Sequence, residues 1–410
     1  MSFQQGLSGL NAASKQLEVI GNNVSNANTV GFKQSRAEFA DVFANSLTGS
    51  GASQIGIGTN LANVAQQFTQ GNVTSTSNPL DIAINGGGFF RMSNNGAITY
   101  TRNGQFQMDK FGYVVDSGNK RLTGYSANSA GILATGSPTE LNISTADLKP
   151  SATAKVVGLV NLDSRNSIPV TTPFNPADPT SYNNSAPITT YDSLGNAHTL
   201  QSFFVKTATP GAWNVFTTAD GVSTTTLPTP TDTITFNGSG ISPTSTNGSP
   251  TAISFAVTTG ATTPVNMTID YSGSTQFGSN FSINSLSQDG FTSGSLASFS
   301  TSADGTIVGR YSNGQSKTLG QVVLANFVNP NGLQSLGGNA WSESATSGAP
   351  LVGTPKTGSL GVLQSSAQED SNVDLTAELV NMITAQRTYQ ANAQTIKTQD
   401  SLLQTIVSLR

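Results

Sequence analysis

The two ends of the chain carry helical patterns that need partners, and this feature constrains the fold more than any other. Over residues 375–407, mainly apolar side chains recur at alternating spacings of three and four, as in a coiled coil. Residues 3–24 repeat this spacing with small or polar interruptions. The seam positions are Phe3, Leu7, Leu10, Leu17 and Val24 in the first helix and Leu375, Leu379, Met382, Tyr389, Ala393, Ile396, Leu403 and Val407 in the second. Because such narrow stripes need partners, we predict that the two helices pack on each other and on copies of the same chain.

The composition excludes several classes of function. Charged residues make up 10% of the 410 residues, against a typical value of about 25%. The net charge of -4 offers no basic patch for nucleic acid. The absence of cysteine excludes disulfides and thiolate metal sites. It fits an exported bacterial surface protein, although many cytosolic proteins also lack cysteine.

The start of the sequence lacks the features of a secretory signal peptide. It has no basic segment at the N-terminus, and no apolar run approaches the ~18 residues of a membrane span. We therefore expect neither a cleaved signal peptide nor a membrane span, and an extracellular location would require another export route.

A cluster of asparagines is predicted to end the first helix near Asn26, because Asn side chains compete for nearby backbone groups. Taken alone, the cluster is typical of an ordinary helix C-cap. The run from Gly21 to Lys33, however, resembles the N-terminal signature of the bacterial flagellar rod and hook family. The positions that carry the match are Asn22, Asn23, Asn26, Thr29, Gly31 and Phe32.

Other stretches extend the resemblance along the chain. Residues 80–90 and 100–113 resemble the family's first β domain, and residues 372–392 resemble its closing motif. The block from Tyr191 to His198 resembles the hook branch of the family, since the shorter rod proteins lack such a middle domain.

Residues 36–47 are predicted to form one or two helical turns. On a helix, Phe39 and Phe43 would lie on one face as a pair of core aromatics. In flagellar export substrates a similar element, Phe-x-x-x-apolar, is recognised by the export gate. The resemblance therefore implies that Phe39 and Phe43 are recognised there before the chain folds.

Short β patterns begin after residue 70. The dipeptides Asn103-Gly104 and Asn313-Gly314 are hairpin signals. Several short strands in residues 153–287 predict a β sandwich or barrel.

The predicted fold class is α+β, with terminal helices forming a coiled-coil domain and two mainly-β domains nested by insertion. Residues 1–70 and 371–410 form the terminal assembly domain with its linker. Residues 71–152 and 288–370 form a discontinuous first β domain, and residues 153–287 form an inserted outer β domain.

Catalytic constellations are missing from the sequence. His198 is the sole histidine and is predicted to be a solvated turn residue. The acidic residues Glu369, Asp370 and Asp374 precede the last helix and fit compensation of its dipole. We predict no cofactor, no metal and no enzymatic activity.

The resemblance implies a structural subunit of the flagellar hook, which self-assembles into a curved helical tube. This tube acts as a universal joint that transmits torque from the motor rod to the filament. Its implied partners are other copies of the chain, the distal rod, the hook cap, the hook-filament junction proteins and the flagellar type III export apparatus. Two alternatives remain open: a distal rod protein, or an exported adhesive β protein.

Overall fold

The computed structural model describes residues 2–42, 56–134 and 136–408. The first part of the chain contains helix α1 (Ser2–Ser25) and strands β1 (Ser35–Val42), β2 (Gly58–Gln66), β3 (Val73–Ser75), β4 (Ile82–Asn85), β5 (Phe89–Asn94), β6 (Ala97–Thr101), β7 (Gln107–Met108), β8 (Val114–Val115), β9 (Arg121–Ser126) and β10 (Thr139–Glu140). The middle contains β11 (Lys155–Asn161), β12 (Asn184–Tyr191), β13 (Ala197–Lys206), β14 (Ala212–Ala219), β15 (Val222–Ser223), β16 (Asp232–Thr235), β17 (Thr244–Ser245), β18 (Thr251–Phe255), β19 (Val265–Asp270) and β20 (Ser282–Gln288). The last part contains β21 (Leu296–Thr301), β22 (Thr306–Tyr311), β23 (Ser316–Val322), β24 (Leu324–Asn326), β25 (Gln334–Gly337), β26 (Ala340–Ser342), β27 (Leu351–Gly353), β28 (Val362–Ser365), β29 (Ala367–Glu369) and helix α2 (Leu375–Ser408).

Both predicted terminal helices are confirmed. Helix α1 ends where the asparagines begin, and the Asn26 side chain donates a hydrogen bond to the Asn22 carbonyl at 2.9 Å. Helix α2 starts after Asp374, whose carboxylate accepts hydrogen bonds from the backbone N–H groups of Thr376 and Ala377. Neither described helix has an apolar stretch that would span a bilayer.

The predicted helical turn at residues 36–47 is wrong over its described part. Residues 35–42 form β1, which pairs antiparallel with β2 and places Phe39 opposite Leu61. A residue of α1 holds the start of β1 in place. The Asn23 side chain donates to the Ser35 carbonyl and accepts from the Ser35 N–H. These tertiary bonds, and the pairing with a strand more than fifteen residues away, override a weak local helical pattern.

The largest sheet brings together strands from both halves of the sequence. Its main path runs β21-β22-β23-β9-β5-β6-β26-β25. Two short antiparallel pairs also join the first part of the chain to the last: β3 pairs with β29, and β4 pairs with β28. A cluster of edge-to-face aromatic rings, formed by Phe68, Phe89, Tyr100, Phe327 and Trp341, fills part of the core beside this sheet.

Two hairpin expectations have different outcomes. The Asn313-Gly314 turn is confirmed, since β22 pairs with β23 across it. A hairpin at Asn103-Gly104 is wrong, because β7 pairs with β8 instead of β6. Gly104 instead lies against β4, where a Cβ atom would come within 1.7 Å of the Ile82 carbonyl oxygen. The glycine serves a close backbone approach there.

The middle of the chain forms two sheets over one hydrophobic core. One sheet has the order β18-β19-β11-β20, and the other has β12-β13-β14-β16-β17 with β15 attached to β14. Buried side chains from both sheets meet, such as Val156 and Met267 from the first and Phe204 and Trp213 from the second. The predicted sandwich-like packing of this region is therefore present.

The described residues divide into two compact units. One comprises Met1–Thr145, Ser298–Arg310 and Ser316–Arg410, and the other comprises Ala146–Ala297 and Tyr311–Gln315. The terminal helices fall in the same unit as the large sheet. The finer three-domain division predicted from the sequence stays a prediction.

Candidate assembly surface

Small residues line the contact between α1 and α2. A Cβ atom on Gly9 would lie 2.9 Å from the side-chain amide of Asn392, and one on Gly6 would lie 3.1 Å from Cγ1 of Ile396. Because the positions in α2 rise as those in α1 fall, the two helices run antiparallel. The missing side chains at Gly6 and Gly9 let the two helices approach closely.

The most buried apolar side chains of the two helices are also mostly small. Ala13, Ile20 and Ala385 are each at most 5% exposed. Gly6, Ala13 and Ile20 are seven residues apart, as are Ala385 and Asn392. This seven-residue spacing of the positions that face the other helix was present in the sequence, but the predicted seam favoured the larger apolar side chains.

The predicted seam is divided between buried and exposed positions. Ile396 contacts α1 at Gly6, as the prediction of mutual packing requires. Partly buried seam residues are Leu10, Leu17, Val24, Met382, Ala393 and Ile396. Exposed seam residues are Phe3, Leu7, Leu375, Leu379, Tyr389, Leu403 and Val407. The largest seam side chains are therefore uncovered in a single chain, and their role in self-assembly stays a prediction.

Helix α2 also continues past α1. With Gly6 beside Ile396, the antiparallel register places the start of α1 near residue 400 of α2. Helix α2 extends to Ser408, so roughly two turns lie beyond α1. This part carries Leu402, Leu403 and Val407, all exposed.

A buried charge cluster, formed by Lys33, Arg102 and Glu369, holds the base of the two helices to the large sheet. The Glu369 carboxylate accepts hydrogen bonds from Lys33 Nζ at 2.7 Å and Arg102 Nη1 at 3.0 Å. It also accepts the Gly71 N–H at 2.9 Å. Burial lowers the pKa of the Lys33 amine below its ordinary value, and the Glu369 carboxylate offsets only part of that effect.

Glu369 therefore differs from its predicted role. It ends strand β29 and neutralises buried cations, whereas Asp374 caps α2. No local pattern indicated this role, because the partners of Glu369 lie 336 and 267 positions away in the chain.

The N-terminal motif residues fold around this cluster. Gly31 has a φ of 72° and its N–H donates to the Glu369 carbonyl, while a Cβ there would lie 2.6 Å from the Asn103 nitrogen. Thr29 donates its hydroxyl to Asn26, and its carbonyl accepts the N–H of Phe32. The motif is thus a compact turn that needs glycine at position 31.

A second set of polar contacts joins this turn to the start of α2. The Gln34 side chain donates to the Glu378 carboxylate, and the Gln34 N–H donates to the Asn372 side chain. Asn372 in turn donates to the Gln67 carbonyl at 2.8 Å. The two helices are consequently anchored at one shared base.

Of the two export-gate candidates, Phe39 lies on β1, which packs beside α1. Phe39 is exposed in the middle of β1. Phe43 lies outside the described residues.

The prediction of a solvated turn histidine at position 198 is wrong. His198 is 6% exposed and lies between two carboxylates, with Nδ1 2.6 Å from Asp220 Oδ2 and Nε2 3.3 Å from Asp192 Oδ2. Its position next to a turn did not reveal this burial, since Phe255, which packs on the imidazole, comes from a distant part of the chain.

Four family models match successive parts of the chain. Residues 3–33 match the model described as "Flagella basal body rod protein", and residues 83–155 match "Flagellar hook protein FlgE/F/G D1 domain". Residues 161–291 match "Flagellar basal body protein FlaE D2 domain", and residues 364–409 match "Flagellar basal body rod FlgEFG protein C-terminal".

Curated relatives match the chain from end to end. The flagellar hook protein FlgE of Escherichia coli (strain K12) is 42% identical, with 100% of each chain covered. The chain belongs to the flagellar hook protein family. The hook proteins of Borreliella burgdorferi and Brucella suis are 33% and 32% identical, each covering 100% of this chain and 99% and 98% of their own. As a hook protein, the chain is a structural subunit of the bacterial flagellum.

A solved hook protein shares the fold. The crystal structure of Helicobacter pylori flagellar hook protein FlgE2 superposes with a TM-score of 0.52 at 14% identity, covering 72% of this chain and 99% of that one. The matched families are structural, and none of them indicates a catalytic role for this hook protein.

Proposed function

We propose that this hook subunit assembles with copies of itself into a curved helical tube that serves as a universal joint between motor rod and filament. The observation that supports this most directly is the exposed part of the seam. Seven large apolar or aromatic side chains remain uncovered on two helices that already pack on each other. Unpaired apolar faces of this size mark interaction surfaces.

The contacts between copies are proposed to be heterologous. Helix α2 uses the face with Ala385 and Asn392 for its own α1 and presents Leu379 on another face, while Leu403 continues the α1 face past the end of α1. A surface that joins a different surface on the next copy leaves an unused surface at each end, so the assembly continues as an open helix. In this proposal the terminal helices form the cohesive wall that lines the channel of the tube.

Residues 153–287 are proposed to tune curvature. Ser, Thr, Asn and Gly are abundant in this stretch, and such side chains suit weak, water-bridged contacts that rearrange at small cost. A universal joint needs outer contacts of this kind, because its subunits must shift on every rotation. The proposal also includes a coiled-coil domain formed by the terminal helices and two β domains nested by insertion.

The proposed partners are the distal rod, the hook cap, the hook-filament junction proteins and the flagellar type III export apparatus. The subunit is proposed to leave the cell through that apparatus without a cleaved signal peptide and to lie in the extracellular hook. Phe39 and Phe43 remain the export-gate candidates. No catalytic or cofactor role is proposed.

A distal rod protein is the nearest alternative, since it shares the terminal motifs. The match of residues 161–291 to the FlaE D2 domain favours the hook. An exported adhesive β protein explains the composition but not two terminal helices with exposed seams.

Electron microscopy of the purified chain under polymerising conditions tests the proposal. Curved tubes are expected, whereas straight rods would favour the distal rod protein and the absence of any polymer would contradict self-assembly. Truncation before Asn372 should abolish the tubes, and normal tubes from that truncation would refute assembly through α2.

A further inference from the structure

The turn between β12 and β13 lies in the block from Tyr191 to His198, which has no role in the proposed assembly. The Asp192 side chain is fully buried at the start of this turn. Its carboxylate accepts the N–H groups of Leu194 and Asn196 and the Asn196 side-chain amide, each at 2.9 Å. Asp192 is therefore the residue that shapes the turn.

Asp192 also fastens the turn to a loop of the other sheet. The hydroxyl of Thr259 donates to Asp192 Oδ2 at 2.7 Å, and the N–H of Thr262 donates to the Ser193 hydroxyl at 2.9 Å. Both threonines lie in residues 256–264, which connect β18 to β19. We call these residues the tethered loop.

A single cation compensates the buried Asp192 carboxylate. Among the described residues, its only ion pair is with His198. The other donors to Asp192 are uncharged amides and hydroxyls. Loss of the one cationic partner of a buried carboxylate strongly destabilises the folded protein, because the buried charge is then uncompensated.

Both ring nitrogens of His198 face carboxylate oxygens. Nδ1 lies 2.6 Å from Asp220 Oδ2, and Nε2 lies 3.3 Å from Asp192 Oδ2. A neutral imidazole carries one N–H, so one of its nitrogens would present a lone pair to a carboxylate. The arrangement fits the doubly protonated imidazolium and opposes the neutral ring.

We propose that His198 is a proton-dependent lock, which holds the tethered loop against the Asp192 turn while its ring is charged and loosens both when the ring loses its proton. The cluster joins the two sheets of this unit at one end. Gly195 of the same turn lies close to Pro150 and Thr292, where the chain enters and leaves the unit. Loosening the turn therefore relaxes packing beside both connecting segments.

The charged groups facing the ring come from two different turns. Asp192 belongs to the turn between β12 and β13, and Asp220 follows β14 with a half-exposed side chain. The Phe255 ring of β18 packs edge to face with the imidazole, with 5.8 Å between the ring centroids, and carries no charge. Among the described residues, these two carboxylates are the ones paired with His198.

The titration has a defined direction. Burial alone would lower the pKa of His198, but the hydrogen bonds to Asp220 and Asp192 raise it above the ordinary value of 6.5. Because the folded pKa is the higher one, the stabilisation is fully present below about pH 6.5 and is lost as the pH rises through the folded pKa.

The test uses the intact chain under non-polymerising conditions. Since His198 is the sole histidine, its ring signals in an NMR titration belong to one residue. We expect titration above pH 6.5, with protection factors of the backbone amides in residues 192–198 and 256–264 falling as the ring deprotonates. The fall should be about tenfold for each pH unit by which the pKa is raised. Strand β9, in the other unit, supplies the unaffected reference.

Two variants sharpen the test. In Asp220→Asn the ring should titrate at lower pH while Asp192 keeps its other bonds. In His198→Gln, protection of the tethered loop should be low and independent of pH. Titration of the wild-type ring at or below 6.5, or equal protection in both ring states, would overturn the proposal without requiring any variant to fold.

Discussion

The Lys33 ammonium group and the Glu369 carboxylate lie 2.7 Å apart with both side chains fully inaccessible to solvent. The two residues are 336 positions apart, and Arg102 joins them from the large sheet. A segment after α1, a sheet segment and a segment before α2 are thus held at one point. The base of the helix pair therefore depends on contacts between distant parts of the chain.

Glu369→Gln should destabilise the unit that contains the large sheet. The substitution leaves two buried cations without a counter-ion, which costs about 3–5 kcal/mol. Urea denaturation followed by tryptophan fluorescence measures the change, since Trp341 reports on this unit and Trp213 on the other. Asp370→Asn is the matched control, because the hydrogen bonds of the Asp370 side chain are long, at 3.4–3.5 Å, and the substitution should cost less than about 1 kcal/mol. A loss no larger than that of the control would contradict the role assigned to Glu369.

Gly9→Leu should push α1 and α2 apart. The new side chain would meet the Asn392 amide, where even a Cβ comes within 2.9 Å, and overpacking of this kind costs about 1–3 kcal/mol. Gly21→Leu is the matched control, since no atom lies within 4 Å of its Cβ position and leucine favours a helix over glycine by roughly 0.5–1 kcal/mol. Thermal unfolding followed by circular dichroism at 222 nm should show opposite shifts for the two variants. Equal shifts would mean that the close approach at Gly9 does not stabilise the pair.

Leu403→Ser should weaken polymerisation more than Leu402→Ser. The neighbouring leucines are similarly exposed, 55% and 52%, but only Leu403 belongs to the predicted seam. Burial of a leucine contributes about 1.5–3 kcal/mol, so its loss at a contact should raise the critical concentration about tenfold or more. Sedimentation of polymer from monomer at several concentrations measures this. Identical critical concentrations for the two variants would show that the seam is wrongly placed on α2.

Deletion of residues 153–287 should leave a polymer of altered curvature. Ser151 and Phe291 exchange two backbone hydrogen bonds at 3.0 Å, so the cut ends lie close enough to be rejoined by a short turn. The terminal helices and the buried charge cluster lie outside the deleted residues. Electron micrographs should show tubes whose curvature differs from that of the intact chain, whereas complete loss of polymer would contradict a tuning role.

Local patterns predicted the elements whose stability depends on near neighbours. The three-four spacing located both terminal helices, and the asparagine cluster located the end of α1, because capping and helix periodicity act within a few residues. The Asn313-Gly314 hairpin was predictable for the same reason. The hairpin predicted at Asn103-Gly104 did not form because β7 pairs with β8 instead of β6, and Gly104 packs against β4.

The sequence by itself determined the two terminal helices, the β-rich interior and the family, since each can be recognised from the spacing of nearby residues or from a run of consecutive residues. Only the tertiary structure decided which helix face is buried, how Glu369 is neutralised and what surrounds His198. These outcomes depend on residues tens to hundreds of positions apart, and the desolvation of a charge is set by what packs around it. The small residues at Gly9 and Ala385 pack inside, whereas larger seam side chains such as Leu7 and Leu379 are left exposed.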